Sequence, residues 1–151
     1  MTEHTRLYPD LDGHLAVETC FRVRYHETDA MRVVHHSAYI LWFEEGRSAF
    51  TRAIGYPYAR MEAEGVALAV TELCVRYRQP ARYDDEVIVT TRLEQLRSRE
   101  ITFSYTVRRA CDDVVLATGS TRLVAVDAQG HVRRLPDELR ARVSSYAAVA
   151  P

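Results

Sequence analysis

The feature that most constrains this chain is a single long helical segment followed by strands alone. Apolar residues recur at Ile40, Phe43, Phe50 and Ile54, and Leu41, Trp42, Ala49 and Ala53 widen the stripe. That spacing predicts a helix over 37–54, with Ser37 as its N-cap and Gly55 followed by Pro57 as its stop. Glu44, Glu45, Arg47, Ser48 and Arg52 take the remaining arc. A helix apolar over so much of its circumference is embedded against a sheet, not laid on a surface.

The flanking segments change period. Val17, Thr19, Phe21, Val23 and Tyr25 alternate with Glu18, Cys20, Arg22 and Arg24, the signature of a half-buried strand. The same alternation returns after the helix at Leu73, Val75 and Tyr77, at Val87, Val89, Thr91 and Leu93, and at Ile101, Phe103, Tyr105 and Val107. Residues 114–126 are apolar on both faces for much of their length, as a central strand requires. A short strand at 131–134 and a surface helix at 136–146 complete the prediction. Strand, long helix and a four-strand meander define an α+β chain, an antiparallel sheet of five to six strands wrapped around one long central helix. No repeat or low-complexity linker interrupts it. The expected organisation is a flexible arm over 1–14, one folded domain over 15–135, and a C-terminal helix and tail over 136–151.

Composition excludes more than it selects. Twenty basic side chains against twenty-one acidic ones leave a net charge of -1, so no nucleic-acid partner is expected. Cys20, Cys74 and Cys111 are odd in number and widely spaced, which fits free thiols and neither a disulfide framework nor a zinc knuckle. No run of eighteen apolar residues and no signal-peptide core occurs, so no membrane insertion is expected and the expected location is cytoplasmic.

Chemistry concentrates in the run Tyr25-His26-Glu27-Thr28-Asp29-Ala30-Met31-Arg32-Val33-Val34-His35-His36-Ser37-Ala38-Tyr39. It places carboxylates and imidazoles in a loop that leads into a helix N-terminus. The first backbone N–H groups of a helix lack intrahelical acceptors and carry partial positive charge. Such a terminus can hold a developing oxyanion, and a carboxylate seven or eight residues upstream can fold back beside it. A nucleophile or base beside an electrophilic cradle is what acyl transfer requires. Three histidines, His26, His35 and His36, crowd the loop, yet neither HExxH nor a Cys/His pairing occurs, and no metal is expected.

The run from Tyr25 to Gly55 also resembles the signature of the 4-hydroxybenzoyl-CoA thioesterase-like branch of hot-dog proteins. Glu27, Asp29, Val33, Val34, His35, His36, Tyr39, Trp42, Phe43, Glu44 and Arg47 match its pattern, and Pro80, Tyr83 and Asp85 match more weakly downstream. The resemblance implies a hot-dog fold and hydrolysis of a small aryl- or short/medium-chain acyl-CoA thioester to free acid and CoA. It needs no cofactor, since CoA is part of the substrate. By the same resemblance Asp29 is the catalytic carboxylate and the backbone N–H of His36 polarises the carbonyl. Val34, His35 and Tyr39 shape the substrate pocket; Glu27, read from the residues alone, is structural or a solvated partner and not a second catalyst. The segment between the third and fourth strands is placed at the CoA phosphates, offering Arg97, Ser98 and Arg99, with Arg76, Arg78 and Arg82 as rivals. Homodimers or homotetramers with a site at each subunit interface are implied. Tyr56, Tyr58, Met61 and Tyr77 are further candidates for the pocket wall.

Two positions depart from the family pattern: Arg32 stands where glycine is usual, and Ala38 where asparagine is common. Glycine there implies a tight or positive-φ loop, so Arg32 is expected to divert the loop or to pair with Asp29. Two other functions share the residues. A hydratase or dehydratase acting on acyl thioesters would set His35 against Asp29, and a non-catalytic acyl-CoA binding protein would keep the pocket without turnover.

Overall fold

In the computed structural model, residues 5–147 are described. The chain runs β1 (Arg6–Pro9), β2 (Leu15–Arg22), a 3-10 turn (Tyr25–Glu27), α1 (Ala38–Ala53), α2 (Tyr58–Ala63), β3 (Ala67–Tyr77), β4 (Glu86–Leu96), β5 (Glu100–Arg109), β6 (Val115–Val126) and α3 (Asp137–Ala147). The six strands form one antiparallel sheet in the order β1-β2-β4-β5-β6-β3. This is the hot-dog arrangement, with α1 as its filling.

Alternation in the strands is what wraps the sheet around the helix. Val87, Val89, Thr91 and Leu93 of β4 and Ile101, Phe103, Tyr105 and Val107 of β5 are buried, and their neighbours are half-buried or exposed. Against them α1 lays Trp42, Phe43, Ala49 and Phe50, all nearly inaccessible. Two glycines permit the close approach. A Cβ on Gly46 of α1 would overlap the Thr91 hydroxyl, and a Cβ on Gly119 of β6 would overlap the Phe43 ring and the Cys74 carbonyl. Phe43 then stacks on Tyr105 with ring centres 4.3 Å apart.

Three expectations need correction. Residues 6–9 of the supposed flexible arm form β1, paired from Arg6 opposite Glu18 to Pro9 opposite Leu15. A four-residue strand with one aromatic carries too short a pattern to announce itself. The segment 131–134 contributes only a bridge between Val126 and Val132. Ser37 occupies the N-cap position, but its side chain makes no capping bond and its backbone is already helical, φ −70° and ψ −24°.

The sheet leaves one strand unusual. β3 pairs only with β6 and is exposed along most of its length, including Val70, Leu73 and Tyr77. Among the described residues, no helix is long and apolar enough to cross a membrane.

Candidate active site

The loop between β2 and α1 is built by short local bonds. The Arg32 amide donates to the Asp29 carbonyl at 2.9 Å, and the Asp29 amide donates to the Val33 carbonyl at 2.9 Å. The Asp29 carboxylate Oδ1 accepts the Met31 amide at 2.8 Å, closing an Asx turn. Closure in so few residues demands a left-handed residue, and Arg32 supplies it with φ 62°. Arg32 thus takes up the positive φ for which the family pattern keeps glycine. It does not pair with Asp29: among the described residues Asp29 has no ion pair, and the Arg32 carbonyl accepts the Arg82 guanidinium at 3.3 Å.

A left-handed φ costs a side-chain-bearing residue about 1–2 kcal/mol, while glycine forfeits about 0.5–1 kcal/mol in backbone entropy. Arg32→Gly is therefore expected to keep turnover and to leave Tm unchanged or raise it by a few degrees, at about 2–4 °C per kcal/mol. A thermal melt beside an activity assay checks both; a marked fall in Tm would show that the Arg32 side chain, not the backbone, holds the loop.

Beyond the turn the loop docks on three elements. The Val34 amide donates to the Ala81 carbonyl at 2.8 Å, the His35 amide donates to the Glu27 carbonyl at 2.8 Å, and the Tyr77 hydroxyl donates to the His36 carbonyl at 2.7 Å. Ser37 Oγ lies 2.7 Å from His35 Nδ1, and the same ring nitrogen accepts the Ser37 amide at 3.2 Å. The Ala38 amide turns back to the His35 carbonyl at 3.0 Å. Among the described residues the His36 amide, unlike those of Val34, His35, Ser37 and Ala38, makes no hydrogen bond. It stands one residue ahead of Ser37 with no acidic side chain in the first turn of α1 to compete for its charge.

Asp29, Val34, His36 and Tyr39 share one open cavity of 320 Å³ with Met31, Val33, Tyr77, Arg78, Gln79 and Pro80. Burial lifts the phenols of Tyr39 and Tyr77 above their ordinary value, so both are neutral hydroxyls near pH 7. The arrangement offers a carboxylate with one oxygen outside the Asx turn, a free amide at a helix start, and a cation in Arg78. Those are the parts of an acyl-transfer site.

Several expected residues fall elsewhere. His35 lines a separate cavity of 560 Å³ on the other side of the loop, with Phe21, Arg24, His26 and Trp42. The structure therefore does not set His35 against Asp29. Tyr56 and Met61 are buried in the core, Tyr58 is half-buried outside the Asp29 cavity, and only Tyr77 of that group reaches the cavity. Arg97, Ser98 and Arg99 form the β4–β5 turn, at the opposite end of the same subunit's sheet from Asp29. That turn is held by the C-terminal segment: the Leu135 amide donates to the Ser98 carbonyl at 2.8 Å, and the Arg140 guanidinium to the Arg97 carbonyl at 2.9 Å. Gln79 and Met31 carry no sequence signal of their own for this cavity. The β3–β4 connection reaches the loop through long-range bonds that leave no local pattern.

One further cluster, Asp10, Asp12 and His14, brings ligand-type atoms within 4.8 Å of one another. The Arg92 guanidinium already lies 3.0 Å from Asp10 and 3.2 Å from Asp12, and supplies their positive charge.

An antiparallel sheet around one helix, with a carboxylate and the loop into that helix lining one cavity, fits the hot-dog class of acyl-transfer enzymes. The chain belongs to the Thioesterase-like superfamily, whose model matches residues 23–143, and so stands among the thioester hydrolases. It is 31% identical over 106 residues to the acyl-CoA thioester hydrolase YbgC of Escherichia coli, covering 70% of this chain and 78% of that one. Its fold matches a DHNA-CoA thioesterase from Staphylococcus aureus with TM-score 0.83 and 29% identity, over 89% of this chain and 92% of the other. A hypothetical protein from Thermus thermophilus is 41% identical with TM-score 0.79, over 87% and 97%. At the level of the family, the activity is hydrolysis of acyl-CoA thioesters.

Proposed function

We propose that this chain hydrolyses a small aryl- or short/medium-chain acyl-CoA thioester, with Asp29 as the catalytic carboxylate and the His36 amide as the oxyanion donor. The observation that carries this reading is the shared cavity of Asp29 and His36, in which that amide has no internal acceptor. The thioester carbonyl oxygen accepts a hydrogen bond from the His36 amide. Asp29 then either attacks the carbonyl carbon or removes a proton from the attacking water. Negative charge collects on the carbonyl oxygen, where the amide and the positive end of α1 stabilise it. Collapse of the tetrahedral species breaks the C–S bond and releases CoA as thiolate. In the direct-attack route, water then cleaves the anhydride and restores Asp29.

The hydratase alternative loses its geometric support, because His35 is bonded to Ser37 and faces the other cavity. Hydrolysis is tested by mixing the protein with a panel of CoA esters, aryl through long-chain, and a thiol-trapping dye. Free thiol above the protein's own cysteines is expected; none from any ester would remove the assignment.

A homo-oligomer, dimer or tetramer, belongs to the same reading. β3 presents an unpaired edge with Val70, Leu73 and Tyr77 exposed, and edge pairing covers both the apolar surface and the free backbone groups. Antiparallel pairing of two β3 edges across a two-fold axis sets the 97–99 turn of a second copy at the Asp29 end of the first. Arg97, Ser98 and Arg99 can then meet CoA phosphates across the interface, beside Arg78 from the first copy. Leu73→Lys, a charge on the edge, is expected to convert the oligomer to monomer and to lower turnover with it. Light scattering at micromolar concentration checks this; a wild-type monomer that is fully active would overturn it.

A further inference from the structure

Glu27 is the one buried carboxylate among the described residues, 7% exposed. Its Oε2 accepts the Arg24 amide at 2.8 Å, and its Oε1 accepts the Trp42 indole N–H at 2.9 Å. The Arg24 guanidinium stands 3.6 Å away. The carbonyl of the same residue accepts the His35 amide at 2.8 Å. Glu27 thus grips three things at once. Its side chain holds the exit of β2 and a buried face of α1, and its backbone holds the residue that precedes the oxyanion amide. Asp29 follows it by two residues.

We infer that Glu27 is a positioning residue: its carboxylate, clamped between the Arg24 amide and the Trp42 indole, sets where Asp29 stands relative to the His36 amide. The inference rests on the roles proposed above for those two groups. A buried carboxylate is costly unless every oxygen is satisfied, and here both are. Hydrogen bonds to an ionised oxygen are short and directional. They hold the 25–28 turn in one place against the helix, where apolar packing alone would let it slide. Glu27 lines the 560 Å³ cavity and not the one containing Asp29, so it acts on the reaction only through the loop it anchors.

Two variants separate this role from simple structural support. Glu27→Gln keeps the shape and the Trp42 bond but turns an N–H₂ toward the Arg24 amide. Trp42→Phe keeps an aromatic ring in the core and deletes only the indole donor. Misplacing reacting groups by about 1 Å costs on the order of 10²-fold in rate. Each variant is therefore expected to lose about 10- to 100-fold in kcat with KM changed by less than about threefold. The double variant cuts both bonds of the clamp and is expected to lose at least as much kcat as the more impaired single. The shape of the kcat profile against pH should stay as in the wild type, since neither variant alters the Asp29 side chain. Melts establish that each protein is folded at the assay temperature, and Trp42→Phe carries the test if Glu27→Gln does not fold. Wild-type kcat in a folded variant would overturn the inference, as would a changed profile in Glu27→Gln, which would make Glu27 itself the proton carrier. Failure of the underlying reading looks different: wild-type protein would release no thiol, or Asp29→Asn would remain active.

Discussion

Asp29→Asn is expected to abolish turnover while acyl-CoA still binds. The amide can accept the Met31 N–H as the carboxylate does, so the Asx turn at 2.8 Å survives the change. What disappears is the negative charge on the second oxygen, and with it both attack on the carbonyl and abstraction of a proton from water. General base catalysis is worth about 10²–10⁴-fold, and loss of the nucleophile costs no less. Isothermal titration with a non-hydrolysable CoA thioether should give a Kd close to the wild type, since the cavity walls Tyr39, Tyr77, Arg78 and Pro80 are untouched. A variant that keeps more than a tenth of wild-type kcat would show that another group drives the reaction.

The second large effect is expected from removal of a backbone atom. His36→Pro deletes an amide ahead of the helix that makes no hydrogen bond among the described residues, so no fold-stabilising bond is lost with it. Proline is tolerated at such positions, where the N–H is unpaired in any case. Loss of one oxyanion donor costs about 10²–10³-fold in kcat, and KM should move much less, because the donor strengthens only as charge develops. His36→Ala is the control. It retains the amide and removes the ring, which is exposed and tilted against the His35 ring with centres 4.1 Å apart. Near-normal kcat in His36→Ala with a collapse in His36→Pro assigns the function to the amide. Equal losses in both would assign it to the imidazole.

These outcomes bear on how much of the site lay in local pattern. The helix, the alternating strands and the Asp29–His36 spacing are all short-range, and a short-range signal is readable residue by residue. The Arg32 turn shows the limit of such reading. A positive φ was expected from the family's glycine, but a side-chain-bearing residue meets it here at 62°, because the loop is held from outside by Arg82 and Ala81. Ser37 shows it again: the residue type of an N-cap sits at the N-cap position, yet its hydroxyl is taken by His35.

The amino-acid sequence by itself determined the α+β class, the helix that fills the sheet, and the loop that carries the chemistry, because each follows from periods of two or 3.6 residues and from local bonding. Only the tertiary structure decided which side of that loop each histidine faces, that Arg78 and Tyr77 join Asp29, and that the 97–99 turn lies at the far end of the sheet. Those placements come from strand order and from bonds between residues forty or more apart, such as Tyr77 to His36 and Val34 to Ala81. No local pattern encodes them, since the free energy that selects them is released only when the sheet has closed around the helix.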